Sequence, residues 1–504
     1  MTTVSVSVVT LVLLAAAGAL PSVALAGRRP VAVFLAPLTG ALLAGLSGFL
    51  VVALAGDVLR WFVPLAISAN AAALASFAGR HGRPPGPAES APQGARRGDR
   101  AGTRVEPVLA VGGLLLVIGA LSWCLRTLVR PDIGFDTRTI WLVHARWLAE
   151  GHGVARAALG NPALPFAHSS YPPLSGAVVA LGWLLTGAHT ASAQADRTAT
   201  VVIALLTACA VGAAATSILE VGLRCGSAVR GPAGSACSVL AALGGAAWVL
   251  GTYGIAGAGA TNGYVDLLWS ASAVAAAGFG LVAAPTGRAV RAAAVLAAVA
   301  ALTKNEGVAA ALILVLLIVA RWWRHSARRG VPWAGRRWQV AWGSLGLAGV
   351  VSWPVTTVLL HALPDPDTAG RRQGTLWTRT DATARSMADD LHIAALALAV
   401  GILATVVLAG RRRSLAMGGD PWIWALGGFE VLAVASFYVF GKTNIRFWLG
   451  TSVDRTTIFP EILGLASLGW WLACAAGLPR WTRGARTDYT SAHDDLRPPV
   501  RAQL

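Results

Sequence analysis

Two aspartates, Asp132 and Asp136, follow an apolar run. They open a polar stretch from Pro131 to Gly176 that reads PDIGFDTRTIWLVHARWLAEGHGVARAALGNPALPFAHSSYPPLSG. A carboxylate placed there could take a proton from a hydroxyl as a general base. Asp136 could equally cap the helix predicted from Thr137 to the stop at Gly151, because aspartate is a favoured N-cap and gains from the helix dipole. Further chemistry-bearing groups recur beside other apolar runs. Asp266 lies in Tyr264-Val265-Asp266, and Lys304 and Glu306 lie in Thr303-Lys304-Asn305-Glu306-Gly307. Lys442, Arg446 and Arg455 precede the last apolar run. The only lysines are Lys304 and Lys442, and arginine carries the remaining basic charge. A compact ammonium and a planar guanidinium bind phosphate differently, so the two retained lysines point to a chemical need.

The elements that must position these groups are apolar. The chain of 504 residues is 55% hydrophobic and 13% charged, about half the charge of a soluble domain. Apolar spans read at about 4–26, 31–54, 58–79, 108–128, 197–220, 234–251, 264–284, 289–302, 306–321, 338–360, 391–409, 421–440 and 456–476. The expected fold is therefore an all-α polytopic membrane protein with about 13 transmembrane helices. Residues 1–79 form N-terminal membrane helices and 80–107 a basic, Pro- and Gly-rich cytoplasmic linker. A transmembrane catalytic domain spans 108–478, with its first external loop at 129–196, and 479–504 is a cytoplasmic tail. The start of the chain lacks a basic n-region, so no cleaved leader is expected.

Net charge is +18, from 41 basic and 23 acidic residues. With no soluble basic domain or nucleic-acid motif, this excess reads as the positive-inside rule. Every second loop is Arg-rich, including those at Arg224 and Arg230, Arg288 and Arg291, and Arg411 to Arg413. Those loops are assigned to the cytoplasm. The assignment holds only if the apolar segment from Leu174 to Gly187, about 14 residues and short for a span, stays on the outer surface as an interfacial or re-entrant helix. The acids and cations above then all face outward. The 20 tryptophans fit interfacial belts. The cysteines (Cys124, Cys209, Cys225, Cys237, Cys474) and the histidines His144, His152 and His168 lack metal-ligand spacing.

The run Gly134-Phe135-Asp136, Trp141, His144-Ala145-Arg146, Gly151 and His168-Ser169-Ser170-Tyr171-Pro172-Pro173-Leu174 resembles the first external loop of GT-C superfamily glycosyltransferases. Those multi-span enzymes use polyprenyl-phosphate-linked sugars. The resemblance covers roughly Val108 to Trp471 through short, degenerate motifs. It implies a GT-C-like bundle whose external loop bears interfacial helices, and a catalytic aspartate after the first conserved span. Asp136 matches best. Asp132 is its rival, because family members have two adjacent acids and this chain spaces them four apart. The resemblance makes Tyr171-Pro172-Pro173 the loop motif, Asp266 the second acidic site, and Thr303 to Gly307 the Thr-Lys-x-Glu-Gly motif. Lys304, Glu306, Lys442, Arg446 and Arg455 would then bind donor phosphate.

The implied function is sugar transfer, inverting at the anomeric carbon, from a polyprenyl-phosphate donor to a glycan, lipid or protein acceptor of the cell envelope. The active site would lie on the extracytoplasmic face of the cell membrane, with the bilayer as a partner and no nucleic acid. A divalent metal is neither required nor excluded, since only Asp136 and Asp266 offer converging oxygen ligands. Blander readings stand beside these. Lys304 and Glu306 could be a surface ion pair, and Lys442, Arg446 and Arg455 could snorkel to the interface. A polysaccharide polymerase or ligase would use the loop from His361 to His392, with Arg371, Arg372, Arg379, Asp381 and Asp389. A lipid-linked-sugar transporter would instead bury charges within spans.

Overall fold

A computed structural model describes residues 3–27, 31–81, 133–164, 167–187, 192–227, 232–282, 287–328, 333–363, 374–409, 420–442 and 444–476. Asp132, Arg371, Arg372, the linker beyond His81, the run at 108–128 and the tail at 479–504 lie outside them. The described residues contain helices and no strand. Among the described residues, six helices are long and apolar enough to cross a membrane: Ser5–Ala26, Val31–Ala53, Val58–Ala78, Ala193–Val221, Asn305–Ala327 and Trp422–Phe440. The protein is a helical membrane protein. The length of each run dictates this, because only a helix satisfies its own backbone groups in lipid.

Three helices open the chain: α1 (Thr3–Ala26), α2 (Val31–Ala53) and α3 (Val58–His81). α1 and α2 approach closely through small residues. A Cβ on Gly18 would overlap the Ala36 carbonyl, and one on Gly40 the Leu14 carbonyl. Small residues at such a crossing let two backbones meet, as in membrane helix pairs generally. A π-type turn over Thr137–Trp141 leads into α4 (Leu142–Glu150), followed by α5 (His152–Leu159) and α6 (Leu174–Thr186).

The remaining runs form α7 (Ala193–Ser227), α8 (Pro232–Ala256), α9 (Asp266–Ala277), α10 (Gly287–Thr303), α11 (Asn305–Arg328) and α12 (Trp333–Leu359). They are followed by α13 (Leu376–Asp390), α14 (His392–Ala409), α15 (Asp420–Phe440), α16 (Ile445–Thr456) and α17 (Ile458–Ala476). Leu35, Leu206, Leu268, Leu296, Leu314 and Phe459 belong to one continuous core drawn from these helices.

The helix at 174–187 is packed inside the protein. Every residue from Leu174 to Trp183 is buried, and α6 packs against α1, α2 and α4. Gly45 and Gly48 of α2 leave the room, since a Cβ at either would crowd Leu174 or Ala177 at 3.1 or 3.0 Å. Several tryptophans are packed inside as well. Trp183, Trp248, Trp353 and Trp470 are buried. Their indole N–H groups donate to Ala195 O at 3.2 Å, Ile462 O at 2.9 Å, Ser170 O at 2.8 Å and Ser217 Oγ at 3.2 Å. A satisfied indole donor allows this burial. Trp377, by contrast, is 80% exposed.

Candidate functional site

The loop carrying Asp136 is pinned to the turn before α9. The Gly134 amide donates to Asn262 O at 3.0 Å, and Thr137 Oγ1 donates to the same oxygen at 2.9 Å. Asn262 in turn closes its own turn, accepting from the Tyr264 amide on Oδ1 at 3.1 Å. Two glycines make this apposition feasible. A Cβ on Gly134 would overlap the Tyr264 ring. Gly263 adopts φ +87°, and a Cβ there would sit 2.6 Å from Thr137 Cγ2. Asp136 therefore enters the site on a segment held from both sides, just before a π-type turn, a feature frequent at functional sites.

Asp136 is not an N-cap. It is already helical, at φ −62° and ψ −31°, and its side chain makes no capping bond. Its Oδ2 instead accepts from Arg455 Nη1. Arg455 arrives from the last turn of α16, and its guanidinium lies 4.9 Å from the centroid of the Tyr264 ring. Arg455 Nε is buried and has no hydrogen-bond partner. Burial pulls the guanidinium down, but the carboxylates of Asp266 and Asp136 outweigh it and hold Arg455 above its ordinary value. The Tyr264 phenol is pushed up, first by burial and then by Asp136, so it stays protonated.

Beside this pair lies a second charged group. Lys304 is the one-residue break between α10 and α11, and the Val308 amide donates to its carbonyl at 3.2 Å. Gly307 permits the sharp junction, since a Cβ there would overlap the Ala300 carbonyl. Lys304 Nζ donates to Asp266 Oδ1 at 2.7 Å and pairs with Glu306 Oε1 at 2.9 Å. Lys304 is 6% and Asp266 4% exposed. The expected surface pair of Lys304 and Glu306 is thus a buried one, and it includes a third residue. Val265, not Asp266, holds the cap position of α9. Burial lowers the Lys304 ammonium, but Asp266 and then Glu306 outweigh it and keep Lys304 charged. The charges of Asp266 and Lys304 both act on Arg455, so the five residues form one electrostatic cluster.

The rest of the loop builds the wall of the site. Trp141 stacks on Tyr171 with centroids 5.5 Å apart, and His168 lies 4.8 Å from Tyr171. Tyr171, Pro172 and Pro173 are all buried, so this motif supports the site by packing. His144 Nε2 donates to Ala167 O at 2.7 Å. Burial lowers His144 to about 4, which keeps it neutral and fixes that tautomer. The structure does not bring Lys442 or Arg446 into the cluster; both are exposed. Arg379 is fully buried and donates to Val439 O at 2.9 Å and Tyr438 O at 2.5 Å, so it ties down the end of α15. Asp381 pairs with Arg385 in solvent.

Two residues with chemical potential escape the motif analysis. Tyr264 lies inside a quoted motif but is not singled out there; its neighbour Gly263 in an Asn-Gly turn is the available signal. Glu430 sits midway along α15, 1% exposed, with Oε2 lacking a partner. A single acid inside an apolar run is a recognised functional signal. Among the described residues, no group of three or more His, Cys, Asp or Glu could hold a metal ion. No family model matches the chain, and neither does any curated protein or solved structure.

Proposed function

We propose that this chain is an integral-membrane glycosyltransferase of the GT-C type, with about 13 spans and an extracytoplasmic site. It moves a sugar from a polyprenyl-phosphate donor to a cell-envelope acceptor. The observation that supports this best is the meeting of Asp136, Asp266, Lys304, Glu306 and Arg455. Four segments far apart in sequence deliver these residues to one cluster at helix ends. Asp136 takes the proton of the acceptor hydroxyl as the oxygen attacks the anomeric carbon. The bond from that carbon to the phosphate oxygen breaks, and Arg455 stabilises the charge that grows on the leaving phosphate. Lys304 holds Asp266 and Glu306 in place behind Arg455. Lys442, between α15 and α16, and Arg446 on α16 are both exposed, and in this reading they meet lipid headgroups rather than the reacting phosphate.

A second reading, a lipid-linked-sugar transporter, draws on one observation, the buried Glu430 within a span. Membranes containing the protein, given a panel of polyprenyl-phosphate sugars, separate the two. Transfer should occur with one donor and fall at least about 100-fold in Asp136→Asn, the scale on which a general base contributes. Transfer undiminished in that variant overturns the role of Asp136. Movement of donor across the bilayer without transfer, abolished by Glu430→Gln, would establish the transporter.

A further inference from the structure

Asp136 and Arg455 hold each other through Oδ2 and Nη1, so the carboxylate and an incoming phosphate compete for one guanidinium. A carboxylate engaged by a guanidinium is a weaker base than a released one. The cluster has no spare cation. Asp136, Asp266 and Glu306 balance Lys304 and Arg455 and leave one negative charge over. An anion joining that group meets net negative charge and gains most by drawing a cation away from a carboxylate.

Lys304 is poorly placed to be taken. It is buried, with one carboxylate at 2.7 Å and another at 2.9 Å. Arg455 is different. It binds Asp136 through Nη1, its Nε is buried without a partner, and its side chain is 20% exposed. The Tyr264 ring supports one guanidinium face and would stay beneath it if the side chain swung.

We propose that Arg455 is a hand-over residue. An anionic phosphate displaces Asp136 from the guanidinium, so donor binding releases the base. Arg455 then presents its fork to the phosphate, the geometry for which arginine is suited. Asp136, still held by the Gly134 and Thr137 bonds to Asn262, is left with a free carboxylate beside the phosphate. This rests on the transferase reading only for the identity of the anion. Its consequence is an order of events: donor first, acceptor second. A base paired until the donor arrives is also poorly placed to activate water.

The test is a binding cycle that needs no turnover. The purified full chain in detergent micelles is titrated with farnesyl monophosphate, and in a parallel arm with inorganic phosphate. Asp136→Asn frees Arg455 and should tighten farnesyl phosphate binding about 5-fold or more, while Arg455→Gln should weaken it about 10-fold, both within the usual span of coupled sites. Adding Asp136→Asn to Arg455→Gln should then change nothing, since the competition is gone. Arg455→Lys keeps the cation and should retain part of the Asp136→Asn effect, which guards against a Gln variant that fails to fold.

The same coupling with inorganic phosphate supports the hand-over and names a free phosphate as its ligand. Coupling seen only with farnesyl phosphate supports it for a lipid headgroup. Binding in Asp136→Asn equal to or weaker than wild type overturns the hand-over, as does wild-type affinity in Arg455→Gln. Coupling intact in a protein that transfers no sugar would sink the transferase and leave the hand-over standing.

Discussion

At the residue scale, His144 has the most direct solution signature. It is buried between Trp141 and Trp147, with ring centroids at 6.4 and 4.8 Å, and donates to Ala167. Burial is the main cause of its lowering to about 4 from the ordinary 6.5, with His168 adding to it. The unfolded chain therefore binds a proton that the folded one refuses between these values. His144 contributes no penalty above pH 6.5. Stability falls as pH drops from 6.5 towards 4, by roughly 3 kcal/mol in all, and the loss levels off below 4. Melting curves of the purified protein at pH 7 and pH 4.5 should show this loss, and His144→Gln should flatten it. An unchanged slope in the variant would mean that other groups carry the acid sensitivity. The sequence supplies His144 as structural but not its partners, because Ala167 lies 23 residues away. The same holds for the charged cluster. Asp136, Asp266, Lys304, Glu306 and Arg455 stand out as polar residues at the ends of apolar runs. Nothing in their spacing separates Arg455 from the exposed Arg446, nine positions earlier on the same short helix.

At the scale of elements, the junction between α10 and α11 is the most demanding. A one-residue break places a lysine ammonium inside the protein, and only the partner carboxylates make that tolerable. Lys304→Met would remove the cation bonded to both Asp266 and Glu306 and leave buried Asp266 with only the more distant Arg455 as a counter-charge. The expected cost is about 3–5 kcal/mol, as for breaking other buried pairs. Adding Asp266→Asn and Glu306→Gln should restore most of the lost stability without restoring transfer. Detergent melts of the single and triple variants, beside their transfer rates, test this. A single variant as stable as wild type would mean that the carboxylates find protons or other partners. The helices themselves are legible, because runs of apolar residues can satisfy their backbones in lipid only as helices. The position of α6 is not. A helix apolar on every face reads the same whether it lies against lipid or against α1, α2 and α4. What distinguishes the two is Gly45 and Gly48 on a different helix.

On the scale of the whole molecule, the N-terminal helices belong to the platform of the site rather than standing apart from it. The His152 amide donates to Gly56 O at 2.9 Å, and His152 Nδ1 is bonded to Val51 O at 2.7 Å, so the segment after α2 and the end of α2 itself hold the start of α5. α2 also seats α6, which packs on α4 below the Asp136 loop. Motif resemblance starts near Val108 and gives no reason to expect this, because the coupling consists of packed small residues and of bonds from His152 to backbone carbonyls. Gly40 is the place to test it. A Cβ there would overlap the Leu14 backbone, so α1 and α2 would have to move apart. Gly40→Val should therefore destabilise by about 1–3 kcal/mol, the scale of overpacking, and lower transfer although no charged residue is touched. Gly428→Val is the matched control. Gly428 is exposed, with open space where its Cβ would go, and its substitution should leave both stability and transfer near wild type. Loss of stability in Gly40→Val with an unchanged rate in the folded fraction would show that α1 and α2 hold the bundle together without orienting the Asp136 loop. A lower rate in that fraction would place the N-terminal helices within the machinery that positions the base.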